Sequence, residues 1–172
     1  MLKDAIGRQW QLSTIQLDFN LPERFELDYI NETNEKVRPV VIHRAILGST
    51  ERFMGIMIEH FAGAFPLWLS PTQVKILPIS EKFTEYAKKI HKELADVGIR
   101  TELDDSNESL GKRIRVAKTE KVPYILVLGE KEVTNGTVTV EVRNSEGGSG
   151  KTQTVADFIK YTLDDISKKS IW

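Results

Sequence analysis

Apolar and polar residues alternate from Gln9 to Phe19, QWQLSTIQLDF. The run is rich in Trp, Thr, Ile and Phe, and it predicts a β-strand. Leu21-Pro22 breaks that pattern. Phe25–Ile30 predicts a second short strand, 31–36 a polar turn, and Val37–Ile46 a third strand. Together they predict an antiparallel piece of sheet without a partner sheet. Ser49 is a candidate N-cap for a following helix, on which Phe53, Ile56, Met57 and Phe61 recur at helical spacing.

The stretch 62–72, AGAFPLWLSPT, carries two prolines and reads as a linker. Beyond it, strands and helices alternate. Val74–Ile79 reads as a buried strand. Ser80–Val97 reads as an amphipathic helix with Phe83, Tyr86, Ala87, Ile90, Leu94 and Val97 on one side, and Gly98 stands where a helix ends in the left-handed conformation. Arg100–Leu103 predicts a strand, Leu110–Thr119 a helix and Pro123–Leu128 an apolar strand. Lys131–Val133 and Thr137–Val142 predict a hairpin about Asn135-Gly136. Thr154–Ile166 predicts a last helix, with Thr154 and Asp157 at capping-box spacing.

The pattern therefore predicts an α/β chain whose N-terminal part is α+β, divided near residue 70 into 1–70 and 71–172. The second part is expected to be a complete domain of mixed sheet and three helices. The first, with three strands and one helix, cannot close a core alone and reads as cut.

Composition excludes several classes. Hydrophobic residues make up 40% and charged residues 28% of the 172, a globular balance. No apolar run approaches the roughly 20 residues of a membrane span. Lys3 and Asp4 interrupt any signal-peptide pattern. There is no cysteine, so no disulfide. The net charge of −1 means that an RNA site must be a local basic patch, since the bulk field does not supply one. Gly147–Thr152, GGSGKT, imitates a phosphate loop. That pattern needs a glycine five residues before Gly150, where Ser145 stands, so a flexible polar turn is the better reading.

The segment Arg38–Phe53, RPVVIHRAILGSTERF, joins an apolar strand bearing His43 and Arg44 to a tight Gly48-Ser49 junction and a helix start. Arg52 in the first turn opposes the helix dipole, but it is placed to meet a phosphate over the N-terminus. These residues resemble motif 3 of class II aminoacyl-tRNA synthetases. With WQLSTIQLDFNLPERF upstream, they resemble the threonyl-tRNA synthetase family in particular. Residues from about 72 onward resemble the C-terminal anticodon-binding domain shared by the threonyl, prolyl, histidyl and glycyl enzymes, through VKILPIS, LADVGIRTELDD and NESLGKRIRVAKTEKVPYILVLGEKEV.

The resemblance implies the end of a class II antiparallel catalytic sheet followed by an anticodon-binding domain. The parent would be a cytoplasmic homodimer that activates threonine with ATP and Mg2+ and charges tRNA(Thr), with neither membrane nor DNA as a partner. It places Gln11 and Thr14 near threonine, Gln16 near the ribose, Ser49 at the amino-acid site and Arg52 on the adenine and triphosphate. His43 matches one zinc ligand; the other two, a cysteine and a histidine, are not in this chain. Neither are motifs 1 and 2. One imidazole does not make a zinc site, so the segment alone is expected to be inactive. In the anticodon loop, the resemblance offers Asn107, Lys121, Glu132 and Arg143 as contacts. Lys112, Arg113, Arg115, Lys118 and Lys121 form a basic cluster suited to loop phosphates. Two alternatives stay open: a stand-alone RNA-binding module, and a truncated product that associates through an exposed sheet edge. His60 and His91 read as solvent-facing helix positions.

Overall fold

The computed structural model describes residues 2–143 and 150–171. The chain divides into two compact units, Met1–Phe61 and Ala62–Trp172.

The first unit contains β1 (Leu2–Lys3), β2 (Gln9–Trp10), β3 (Thr14–Asp18), α1 (Asn20–Arg24), β4 (Tyr29–Ile30), β5 (Lys36–Val37), β6 (Val41–Ala45) and α2 (Thr50–His60). Three antiparallel ribbons result, β1–β2, β3–β6 and β4–β5, in place of one three-stranded sheet. The long strand expected over 9–19 is split between β2 and β3. Pro22, expected as a breaker, lies in the first turn of α1, where a proline has no backbone bond to lose. The strand expected over 25–30 shrinks to β4. Ile15, Leu17 and Ile42 are more than three-fifths exposed. The β3–β6 ribbon thus carries a core-type sequence without a core.

The second unit contains β7 (Val74–Pro78), a 3₁₀ turn (Glu81–Phe83), α3 (Thr84–Asp96), β8 (Thr101–Leu103), α4 (Leu110–Thr119), β9 (Tyr124–Leu128), α5 (Glu130–Asn135), β10 (Thr137–Val142), β11 (Lys151–Thr154) and α6 (Val155–Lys168). The strand order is β11-β10-β9-β7-β8. β7 runs parallel to both β8 and β9, while β10 is antiparallel to β9 and to β11. The β7-α3-β8 and β8-α4-β9 crossovers travel in opposite directions along the sheet. Right-handed crossovers then put α3 and α4 on opposite faces. Ala87, Ile90 and Leu94 of α3 and Phe158 of α6 pack on Val74, Ile76, Leu126 and Val138. Ala117 of α4 packs with Leu77 and Ile125 on the other face. β7, buried at every position and flanked by β9 and β8, is the buried strand that its apolar sequence predicts.

Two expectations change. Lys131–Val133 is helical, within α5, and not half of a hairpin. Gly136, at φ +65, ends that helix in the left-handed conformation; the Asn-Gly signal serves a helix C-terminus here, because both uses need the same positive φ. The stretch 62–72 is no bare linker. Leu67 is buried in the core of the unit, and Gln73 is clamped beside it, its Nε2 donating to Leu67 O at 2.9 Å and its Oε1 accepting from Arg100 N at 2.9 Å. Of the polar turn read over 147–152, residues 147–149 lie outside the described residues, whereas Lys151 and Thr152 belong to β11 and are not turn. Among the described residues, no helix is long and apolar enough to cross a membrane.

Candidate functional site

In the first unit the pairing of β3 with β6 sets Gln16 opposite His43 and Thr14 opposite Ala45. Side chains alternate along a strand, so Thr14, Gln16, Asp18 and His43 share one face of the ribbon, and Ile15, Leu17, Ile42 and Arg44 share the other. His43 Nε2 lies 2.9 Å from Asp18 Oδ2. That bond, ahead of two backbone N–H donors, holds the Asp18 carboxyl below its ordinary range. No group of three His, Cys, Asp or Glu side chains able to hold a metal occurs among the described residues. His43 with Asp18 does not by itself fit the three- or four-ligand requirement of zinc.

Gly48 sits at φ +66, and a β-carbon there would stand 2.6 Å from Leu12 O. Only glycine lets the chain turn from β6 into α2 against the Gln11-Leu12 backbone. Ser49 caps α2, its Oγ accepting from Arg52 N at 3.3 Å and donating to Glu51 Oε2 at 2.6 Å. The Arg52 guanidinium lies 5.4 Å from the Trp10 ring centroid, and that of Arg8 5.5 Å from it. The Trp10 indole is itself fixed by donation to Asp4 Oδ2 at 3.0 Å. Gln11 is therefore next to the residue that carries Arg52. The five residues expected at a nucleotide and amino-acid site fall on β3 (Thr14 and Gln16), on the link between β2 and β3 (Gln11) and at the α2 N-terminus (Ser49 and Arg52), and all belong to this unit.

In the second unit, a cleft of about 250 Å³ opens at the carboxyl ends of the parallel strands β7 and β8. That is where α/β sheets bind ligands, at the point where strand order reverses. Pro78, Ile79, Ser80, Glu81 and Thr84 line one side, and Asp105, Ser106, Asn107 and Glu108 the other. Arg113 reaches this cleft from α4. It is only 5% exposed, and it donates from Nη1 to Asp104 O and from Nη2 to Pro78 O, both at 2.8 Å. It ties the ends of β7 and β8 together. Asp104 Oδ1 accepts from Ser106 N and Ser106 Oγ, at 3.1 and 2.6 Å, and shapes the turn that presents Asn107.

Glu132 stands in the first turn of α5, immediately beyond β9. Its Oε2 accepts from Gly129 N at 2.9 Å and its Oε1 from Thr139 Oγ1 at 2.7 Å. Burial pushes its carboxyl up, but these bonds and Lys131 outweigh burial and hold it below its ordinary value. Ile79, pinned by donation from its N–H to Leu128 O at 2.9 Å, lies against Gly129. Asn107 and Glu132 thus occupy the same end of the sheet, with Ile79 between them.

Lys121 and Arg143 do not join them. Lys121 precedes β9, and Arg143 follows β10, whose last residue pairs with the first of β9 (Val142 with Tyr124). Both lie at the opposite end, about 15 Å away along β9 at the usual rise per residue. Arg143 donates to the carbonyls of Lys121 at 2.6 Å, Phe65 at 2.8 Å and Ala64 at 3.3 Å. Lys121, at φ +58, donates to Ala62 O.

The basic cluster on α4 is also partly committed. Arg113 is a buried tie, Lys112 pairs with Glu108 at 2.6 Å, and Lys118 pairs with Glu141 at 2.5 Å. Arg115 is exposed, with no side-chain partner among the described residues. His91 is not simply solvent-facing, since its Nδ1 lies 3.2 Å from Thr101 Oγ1. The sequence reading missed Ile79, hidden as the end of an apolar strand. It missed the structural role of Arg113, whose place among basic neighbours suggested a surface.

The family described as the anticodon binding domain matches residues 73–164, and that described as the class II tRNA synthetase core domain (G, H, P, S and T) matches residues 1–61. A threonine–tRNA ligase from Clostridioides difficile is 60% identical over 172 residues, covering 99% of this chain and 26% of that protein. One from Caldanaerobacter subterraneus subsp. tengcongensis is 52% identical over 170 residues, again 99% of this chain and 26% of the relative. The crystal structure of the RNA binding domain of threonyl-tRNA synthetase from Cryptosporidium parvum Iowa II is 41% identical, with a TM-score of 0.83, and the match covers 94% of this chain and 41% of that one. The chain spans about a quarter of the length of the curated relatives it matches.

Proposed function

Since the chain belongs to the anticodon-binding domain family, and its likeness to threonine–tRNA ligases runs through both of its units, we propose that it is the tRNA-reading part of such a ligase, joined to a portion of its catalytic core. The complete enzyme would activate threonine with ATP and Mg2+, transfer it to tRNA(Thr), and act as a homodimer in the cytoplasm. Within the segment, Gln11 and Thr14 face threonine, Gln16 faces the ribose, Ser49 lies at the amino-acid site and Arg52 meets the adenine and triphosphate. His43 is one zinc ligand of the complete enzyme. Zinc, as a Lewis acid, would bind the amino and hydroxyl groups of threonine and so reject valine, an isostere that an apolar pocket separates poorly.

The observation that carries the RNA reading is the placement of Asn107 and Glu132 around the carboxyl ends of β7 and β9. The amide offers both a donor and an acceptor, and the carboxylate accepts from a donor edge such as that of guanine. Lys121 and Arg143, at the far end, would meet the RNA only through its backbone. The test is equilibrium binding of the chain to the anticodon stem-loop of threonine tRNA and to one of altered anticodon, at two salt concentrations. Preference for the threonine anticodon supports the reading. Equal binding that salt abolishes reduces it to a nonspecific basic surface.

A second reading, an RNA-binding module without catalysis, is favoured by the closed core of the second unit, which the ribbons of the first unit lack. Stem-loop preference without adenylate formation by the natural full-length protein would support it.

A further inference from the structure

We propose that the second unit holds a binding site for a small aromatic carboxylate, between α6 and the edge strand β11. The site lies apart from the cleft that contains Asn107 and does not depend on the anticodon reading.

The ladder sets Val140 opposite Lys151 and Val138 opposite Gln153. Residues directly opposite in an antiparallel pair point to the same side, and Val138 and Val140 pack with Phe158 of α6. Val142, Lys151 and Gln153 therefore face α6 as well. On this face β10 offers short valines, and β11 offers two long polar side chains. Neither strand supplies a large apolar side chain to close the corner of the core. A cavity of about 200 Å³ remains there, with Tyr124, Phe158 and Tyr161 as its aromatic lining. It lies where β9 begins and β10 ends, at the opposite end of the sheet from Asn107 and Glu132.

Size and charge select the occupant. Pockets for drug-sized ligands start at roughly 300 Å³, so this one takes a single ring. Tyr124 and Phe158 meet edge to face, with centroids 5.7 Å apart and planes at 79°. Tyr161, 57% exposed, stands 6.4 Å from Tyr124. A further aromatic ring extends that packing in a way that a saturated ring does not. Aromatic walls alone would equally suit a cation. Lys151 decides against one. It is exposed, it has no ion-pair partner among the described residues, and it is the one charged residue in the described lining. Burial, with Tyr161 and Asp165 nearby, pushes the Tyr124 hydroxyl above the ordinary phenol range, so the phenol stays neutral. Asp165 belongs to α6 and does not line the cavity. A carboxylate turned toward β11 meets the Lys151 ammonium and the donor end of the Gln153 amide.

The experiment titrates the full 172-residue chain with phenylacetate, its neutral analogue phenylacetamide and its saturated analogue cyclohexylacetate, read by NMR chemical shifts and thermal melting. Phenylacetate is expected to saturate with a Kd of about 1 mM, the order for a ligand of about ten non-hydrogen atoms. It should shift the resonances of Val142 and Tyr161 and raise the melting temperature, because it binds only the folded chain. Each analogue is expected to bind about fivefold more weakly. K151Q, an exposed change, should bring phenylacetate down to the affinity of phenylacetamide and leave phenylacetamide unaffected. V142F, which puts a ring into the cavity from a position 38% exposed, should abolish saturable binding of both. No saturable binding in the parent chain overturns the site. Equal affinity of phenylacetate for the parent chain and K151Q overturns the selection of an anion, and equal affinity for cyclohexylacetate overturns that of an aromatic ring. Binding that survives V142F places the ligand elsewhere and also overturns the site. Melting curves identify any variant whose loss comes from unfolding.

Discussion

Arg143 donates from Nη1 to the backbone carbonyl of Lys121 at 2.6 Å, at the point where β9 begins. Its other terminal nitrogen donates to Phe65 O at 2.8 Å, so one guanidinium ties the end of β10 to the segment that precedes β7. R143A is expected to cost about 1–3 kcal/mol, because it deprives these carbonyls of a charged donor. R143K keeps the charge but not the fork, and should recover only part of the loss. Thermal melting checks the stability, and stem-loop binding is expected to keep its anticodon preference in both variants. Loss of preference at unchanged melting temperature would instead make Arg143 an RNA contact.

Arg113 offers a contrast of the same kind on the opposite end of the sheet. Its two bonds hold the ends of β7 and β8, and removing both in R113M should cost roughly 3 kcal/mol. The salt slope of RNA binding should not change, because a buried arginine neutralises no phosphate. R115A should behave in reverse, with normal stability and a slope reduced by about 1. Melting and salt titration of the two variants distinguish the tie from the contact.

Lys75 points from β7 into the α4 face with its side chain 4% exposed, 2.7 Å from Glu120 and 3.4 Å from Glu102, both about half exposed. Burial pushes its ammonium pKa down, but the two carboxylates outweigh burial and leave it raised. A raised folded pKa means that the contribution is complete below the ordinary value of 10.5 and is lost as pH rises through the folded value. K75M should be within about 1 kcal/mol of neutral, because the glutamates left behind face water and methionine fills the space. The E102Q/E120Q double variant should be clearly worse, since it strands a buried cation. Chemical denaturation at neutral pH ranks the three proteins.

Most of the second unit was legible in the sequence because local pattern and tertiary demand agree there. Val74–Pro78 is apolar and buried, Leu110–Thr119 is amphipathic and helical, and Thr154 caps α6 as its spacing with Asp157 suggests. The hairpin misread at Asn135-Gly136 came from one residue pair serving two geometries with the same φ. In the first unit the ribbons depart from the expected strands because Ile15, Leu17 and Ile42 have no opposing layer to hold longer pairing. The candidate residues could be named from resemblance. Their grouping could not, because Asn107 and Glu132 meet only through the strand order, which also carries Lys121 and Arg143 to the other end.

Asp4 gives the first unit a dependence on acid that Trp10 can report. Its side chain is closed to solvent and accepts from Trp10 Nε1 at 3.0 Å, Arg8 Nε at 2.6 Å, Arg8 N at 2.8 Å and Ile6 N at 3.1 Å. Burial alone would raise its pKa, but those donors and the Arg8 charge outweigh burial and bring it down to about 2 from 3.8. A depressed folded pKa means that the stabilisation is complete above 3.8 and is lost as pH falls from there toward 2. Protonation takes an acceptor away from the indole that supports Arg52, so the Trp10 environment should report the loss. In a chain retaining Trp10 as its sole tryptophan, emission should be flat at neutral pH and change between about pH 4 and 2. D4N, with an amide donor opposing one of the N–H groups, should show the changed emission already at pH 7 and no acid transition. The same acid curve in both proteins would show that Asp4 does not hold the indole.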